Sequence, residues 1–393
     1  MKSKSTRMQT MPLTLLASAI MAAAASSAMA AENRGQRYSP GVGGSDMTSL
    51  LVPGWYGQVA MIQYHATKLK DNNGDTVNTV AAGTVPRANI VAGLPSAQQS
   101  AANTALAGAG FQGVGYSTRL ENFRADVYAA LLRVTYLSTS QAFGANLGFT
   151  AMLPVVRRQT SLEADTTLSS ANMATLGAVV GSTAATAIGD NIRNTVNGQA
   201  SRNKGQATGL GDLEISPLLH WELGDNQAIS FAPTIVVPTG DYNKNSAVNA
   251  GYGNFYTFRP SVQYGYIGDG WDVGVRAVLS FNSRNKDTDY KSGNMFNLDF
   301  QLMKFVTDDL RLGLQGYVVQ QFSDDASGDA TTQAAIDLAD GNRMRTFALG
   351  PALAWIKNGG EMMIEGKFLR EFGSQNRTEG TAYWLTISKP FGM

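Results

Sequence analysis

Twelve stretches of the chain alternate apolar and polar residues at period two. In the clearest, Phe143, Ala145, Leu147, Phe149, Ala151 and Leu153 fall on one face and Gly144, Asn146, Gly148, Thr150 and Met152 on the other. Successive strand side chains point to opposite faces, so one face can meet lipid while the other meets a polar interior. The pattern predicts strands near 55–66, 119–137, 141–154, 210–223, 228–238 and 254–267. Six more follow near 271–283, 293–305, 310–322, 343–356, 361–372 and 381–389. Ala129-Ala130-Leu131-Leu132 blurs the alternation in the second of them.

The connections alternate in length. Ser138-Thr139-Ser140, Gly224-Asp225-Asn226-Gln227, Gly268-Asp269-Gly270, Thr307-Asp308-Asp309 and Lys357-Asn358-Gly359-Gly360 are short and built from turn-forming residues. The intervening connections are longer, and those at 67–118 and 155–209 exceed fifty residues. Short turns on one side, long loops on the other and an even strand count are the signature of an outer-membrane barrel, with both termini on the periplasmic side. The expected fold is therefore an all-β, closed antiparallel transmembrane β-barrel of about twelve strands. A soluble sandwich also alternates. It accounts for neither the loop asymmetry nor the aromatic residues Trp221, Tyr264, Tyr266, Trp271 and Trp384 placed near predicted strand ends. The small-residue stretch 162–192 lacks strand alternation and has helical composition. The two long loops are expected either to fold over or into the barrel mouth or to remain disordered.

Residues 1–30 read as a secretory signal, with Lys2, Lys4 and Arg7 before a small apolar run and Ala28-Met29-Ala30 before the cleavage point. Residues 31–54 follow as an N-terminal periplasmic segment, and 55–393 form the barrel. Loss of the signal takes the formal charge from +1 to −2, which disfavours a nucleic-acid partner. The chain has no cysteine, excluding disulfides and thiolate metal sites. No later segment holds eighteen consecutive apolar residues, so helical membrane spans are not expected.

Candidate chemistry is sparse. Asp71-Asn72-Asn73-Gly74-Asp75 has Thr76 where a calcium loop needs glycine, and Gly108-Ala109-Gly110-Phe111-Gln112-Gly113 follows no buried strand. Of the only histidines, His220 is expected to face the lumen at the periplasmic end, and no residue flanking His65 marks a catalytic serine. No catalytic, cofactor or metal site is expected. The predicted inward face is charged instead. It carries Arg124, Asp126, Arg133, Asp212, Glu214, Glu222, Arg259, Asp272, Arg276, Asp299, Arg311, Gln315, Gln321, Glu365, Lys367 and Glu371. Acid–base pairs there can brace a narrow barrel or line a solute path.

An ordered set of segments spans nearly the whole mature chain. It runs Tyr38-Ser39-Pro40-Gly41, Pro53-Gly54-Trp55-Tyr56, Gly209-Leu210-Gly211-Asp212-Leu213, Pro238-Thr239-Gly240-Asp241-Tyr242, Thr288-Asp289-Tyr290-Lys291-Ser292-Gly293, Gly316-Tyr317, Gln321, Asp324-Asp325 and Gly350-Pro351. In this order the set resembles the transporter-like family named for the meta (MetA) pathway of phenol degradation. The resemblance implies an outer-membrane barrel that passes small hydrophobic or aromatic compounds, with membrane lipid and those solutes as its partners. It supplies no catalytic residues. The chain departs from the usual terminal aromatic residue of such barrels, closing with Phe391-Gly392-Met393. The opposing readings are a non-conducting structural or surface-interaction barrel and, less favoured, an outer-membrane hydrolase.

Overall fold

A computed structural model of the chain describes residues 35–48, 52–357 and 360–391. The expected signal, 1–30, lies outside the described residues. In chain order the strands are β1 (Gly54–Lys70), β2 (Thr79–Pro86), β3 (Gly113–Ala142), β4 (Ala145–Leu168), β5 (Gly205–Leu210), β6 (Leu213–Glu222), β7 (Gln227–Val237) and β8 (Thr257–Gly268). Then come β9 (Trp271–Asn282), β10 (Tyr290–Lys291), β11 (Met295–Phe305), β12 (Leu310–Gln321), β13 (Ala326–Ser327), β14 (Arg345–Lys357), β15 (Met362–Gln375) and β16 (Arg377–Phe391).

Twelve of these form a closed antiparallel barrel in the order β3-β1-β16-β15-β14-β12-β11-β9-β8-β7-β6-β4, and β3 pairs with β4 to close it. First and last strands meet in register, with Val59 opposite Ile387 and Met61 opposite Leu385. The alternation read from the sequence sorts side chains as the pleat requires. Ile215, Val262, Leu279, Leu314, Leu353 and Leu385 are outward and exposed, whereas Ser216, Val278, Gln315, Ala354 and Thr386 are inward and buried.

Two local expectations are corrected. The first hairpin does not turn at Ser138-Thr139-Ser140, which lies within β3. It turns at Phe143-Gly144, both at positive φ, the arrangement that matches the twist of the flanking strands. Trp384 is not an end-of-strand aromatic: it is buried and inward on β16, with the Lys367 ammonium 5.7 Å from its ring. Other aromatic residues do gather toward strand ends. Trp55 packs on Tyr136, Phe149 and Phe391 near the short turns. Phe258, Phe281 and Phe322 form one row toward the loops, and Phe347 stacks on Phe372.

The chain folds as two compact units. The barrel belongs to the unit made of 28–77, 122–161 and 203–393. The other unit holds 78–121 and 162–202, the greater part of the two long loops. In it β2 pairs with the first residues of β3. Helices span Arg87–Ala92, Ser96–Gly108, Ser170–Val180 and Ser182–Ser201. Its own core joins Ile90, Leu106, Val114, Leu176, Ile192 and Val196. The loops are thus ordered around apolar side chains spaced to share one core, and the helical composition of 162–192 is realised from Ser170 onward.

Candidate functional site: the barrel lumen

The dominant feature of the barrel interior is the stretch expected as a periplasmic segment. Over its described part, 35–48, it threads the lumen. Arg37 lies at the loop end, donating from Nε to Asp212 (2.9 Å) and from Nη2 to the Gly253 carbonyl (3.0 Å). Thr48 lies at the short-turn end, where its hydroxyl accepts from Gln301 Nε2 (3.2 Å). The barrel's first strand therefore starts beside the short turns, but the chain ahead of it has already passed down through the lumen.

Inward charges hold this strap. Asp299 accepts from Gly41 N (2.9 Å), Gly43 N (2.8 Å) and the Tyr38 hydroxyl (2.7 Å). Glu365 accepts from Ser45 N (2.8 Å), and Lys367 donates to the Gly43 carbonyl (2.7 Å). Asp46 bridges Arg133 (2.5 Å) and Arg276 (2.9 Å). Gln263 donates to the Met47 carbonyl (3.0 Å). Backbone N–H groups that leave water need such partners, and carboxylates supply strong ones. Sequence also sets how closely the strap approaches the wall. A Cβ on Gly44 would stand 2.2 Å from Glu365 Oε1, and one on Gly265 of β8 would stand 2.5 Å from the Met47 carbonyl oxygen. Bare backbone at both places admits the contact.

Glu214, Arg259, Asp272, Arg276, Asp299, Arg311, Gln315, Glu365 and Lys367 all occupy inward positions on their strands, as do Arg133, Gln321 and Glu371. Beside the strap, Arg311 pairs with Asp272, Lys367 stands 3.4 Å from Glu365, and Gln315 donates to Glu365 (2.8 Å). Arg259 pairs with Glu214 and faces the Tyr38 ring at 5.3 Å. Asp212 lies between β5 and β6 rather than in a strand. It accepts from Gly240 N (3.0 Å) as well as from Arg37. Glu222 has inward parity but sits exposed at the short-turn end of β6.

Arg124 and Asp126 are corrected. Register is continuous from Leu137 opposite Gly54 to Ala125 opposite Ala66, so inward Arg133 puts Leu131, Ala129 and Val127 inward and Asp126 outward. Asp126 there binds His65 Nδ1 (2.7 Å) and Arg124 Nε (2.6 Å) on the outer face. The Ala129–Leu132 run carried no alternation to set this parity.

Two cavities remain beside the strap, lined by the strap and by strands around most of the barrel, β8, β9, β12, β15 and β16 as well as β1, β3, β4, β6 and β7. The upper, about 200 Å³, is lined by apolar residues such as Ile62, Leu131 and Val236 and by charged ones, Arg37, Arg158, Asp212, Glu214, Glu371 and Arg377. The lower, about 440 Å³, is lined by Thr135, Thr150, Met152, Ser216, Leu218 and Ala232 and by the charged residues Asp46, Arg133, Glu214, Arg259, Arg276 and Arg311. The segments that carry the family resemblance act here as rim fastenings. Leu210 N donates to Asp241 (2.9 Å), and Asp325 accepts from Gly293 N (2.6 Å), Gln321 Nε2 (2.9 Å) and the Tyr290 hydroxyl (2.5 Å).

Comparison with solved structures places the barrel beside an outer membrane channel, COG4313 of Pseudomonas putida F1, with a TM-score of 0.59 at 14% identity over 89% of this chain and 100% of that one. The likeness is one of fold. The toluene transporter TbuX of Ralstonia pickettii aligns more loosely, with a TM-score of 0.36 at 9% identity over 94% of this chain and 98% of that one. None of the curated proteins matches. The family model described as "Putative MetA-pathway of phenol degradation" matches residues 98–387, well over half of the chain. The chain, a closed antiparallel β-barrel, belongs to that family.

Proposed function

We propose that this barrel is a channel for passive uptake of small hydrophobic or aromatic compounds. The observation that carries this reading is the pairing of the charges on the inner wall. The charges on β8, β9, β11, β12 and β15 are engaged with the strap or with partner side chains, and the space left open is lined by apolar and hydroxyl side chains together with those paired charges. Charges already paired with one another offer an ion little to replace its hydration shell. A neutral ring loses little on entering it. The family's link to phenol degradation and the channel fold of the Pseudomonas protein support the same reading.

The strap also favours a second reading, a barrel that conducts nothing. The two separate on uptake of radiolabelled toluene by lipopolysaccharide-bearing cells with and without the protein. Faster entry with the protein supports the channel; equal entry, with the folded barrel verified in the membrane, rejects it.

A further inference from the structure

The two cavities are stacked along the barrel axis, and the side chains they have in common are those of Tyr38 and Glu214. Along β3 the boundary falls between Leu131, which lines the upper cavity, and Arg133, which lines the lower. On β4 it falls between Pro154 and Met152, and on β7 between Val236 and Thr234. At that level Tyr38 reaches from the strap into an apolar cluster that includes Leu131 and Met152. Its hydroxyl is tied to Asp299 and its ring faces the Arg259 guanidinium, itself paired with Glu214.

We propose that Tyr38 is the gate between the two cavities and the residue that favours aromatic solutes over aliphatic ones, an inference that rests on the uptake function proposed above. Its ring is anchored at the para position by one hydrogen bond, so it can tilt about that anchor without the strap leaving the wall. Leu131 and Met152 opposite are unbranched at Cβ and can repack around a passing solute. An aromatic solute meets a tyrosine ring already polarised by a guanidinium and can stack on it, whereas a saturated ring of the same size gains only burial. The Glu214–Arg259 pair stands at the same level, where a neutral solute passes beside it and an ion meets an opposite charge already satisfied.

The test compares wild type, Tyr38→Ala and Tyr38→Phe, each shown to be a folded, heat-modifiable barrel. Two readouts are used: single-channel conductance, and the ratio of toluene to methylcyclohexane uptake in lipopolysaccharide-bearing cells. Tyr38→Ala joins the cavities, so conductance rises above the wild-type level, and the toluene preference falls by about tenfold, the factor that ring stacking supplies. Tyr38→Phe keeps the preference. A Tyr38→Ala barrel with wild-type conductance and wild-type selectivity overturns the gate while leaving the uptake function standing. Absence of toluene uptake by the wild type overturns the uptake function itself; an increase in conductance for Tyr38→Ala in that case still places the constriction at Tyr38.

Discussion

Asp46 stands between two guanidiniums, Arg133 on β3 and Arg276 on β9, and so ties the strap to both sides of the lumen. Replacement of Asp46 by alanine leaves two buried cations facing each other without their shared anion. Loss of one partner from a buried charged group costs about 3–5 kcal/mol. The variant is expected to unfold at lower urea than wild type and to show a larger or noisier conductance; unchanged values in both assays contradict the assigned role. Gly44→Ala acts at the same scale through sterics, since its Cβ falls inside the Glu365 carboxylate contact. Its expected outcome is a loosened strap in a folded barrel, read as protease cleavage ahead of β1. The parity of most inward charges was legible in the sequence because strong outward apolar residues flank them, as Val273 and Val275 flank Gly274 beside Asp272 and Arg276. Arg124 and Asp126 were not legible. A run of small and apolar residues left that strand's parity unset, and parity was fixed only by pairing with β1.

Strands and strap differ in how sequence specifies them. A strand announces itself by period two, and the outward row predicts its response to charge. Val262 is outward on β8, opposite Ala277. Val262→Arg is therefore expected to cost about 2–4 kcal/mol in a bilayer. Ser261→Asn, inward beside the lower cavity, leaves stability near wild type. Urea titrations of the barrel in vesicles check both, and equal effects would contradict the face assignment. The strap has no period because its partners lie on distant strands, Asp299, Arg276 and Glu365 among them, each more than two hundred residues away. Its composition held one clue. Gly41-Val42-Gly43-Gly44 followed by an acid suits backbone approaching a charged wall, yet it reads equally well as a flexible linker until the wall is known. The long loops were half legible: helical composition was visible, but a core shared between two segments distant in sequence was not.

For the whole molecule, the strap decides what kind of pore the barrel can be. Twelve strands enclose more room than the side chains of a narrow barrel fill. Here the surplus is partly filled by a strap that engages wall charges, and the space left is lined by apolar and hydroxyl groups and by paired charges. Removal of residues 35–48 should expose that charged wall and convert a selective path into a wider aqueous one, seen as a large rise in ion conductance with loss of toluene preference. Selectivity for neutral solutes is tested most directly by uptake, in lipopolysaccharide-bearing cells, of two ring compounds of similar size, neutral toluene and anionic benzoate, with the intact protein present or absent. The protein is expected to accelerate toluene entry and to leave benzoate entry unchanged. Acceleration of benzoate to the same extent, or of neither compound by a folded barrel, would show that the lumen is not a path selective for neutral solutes.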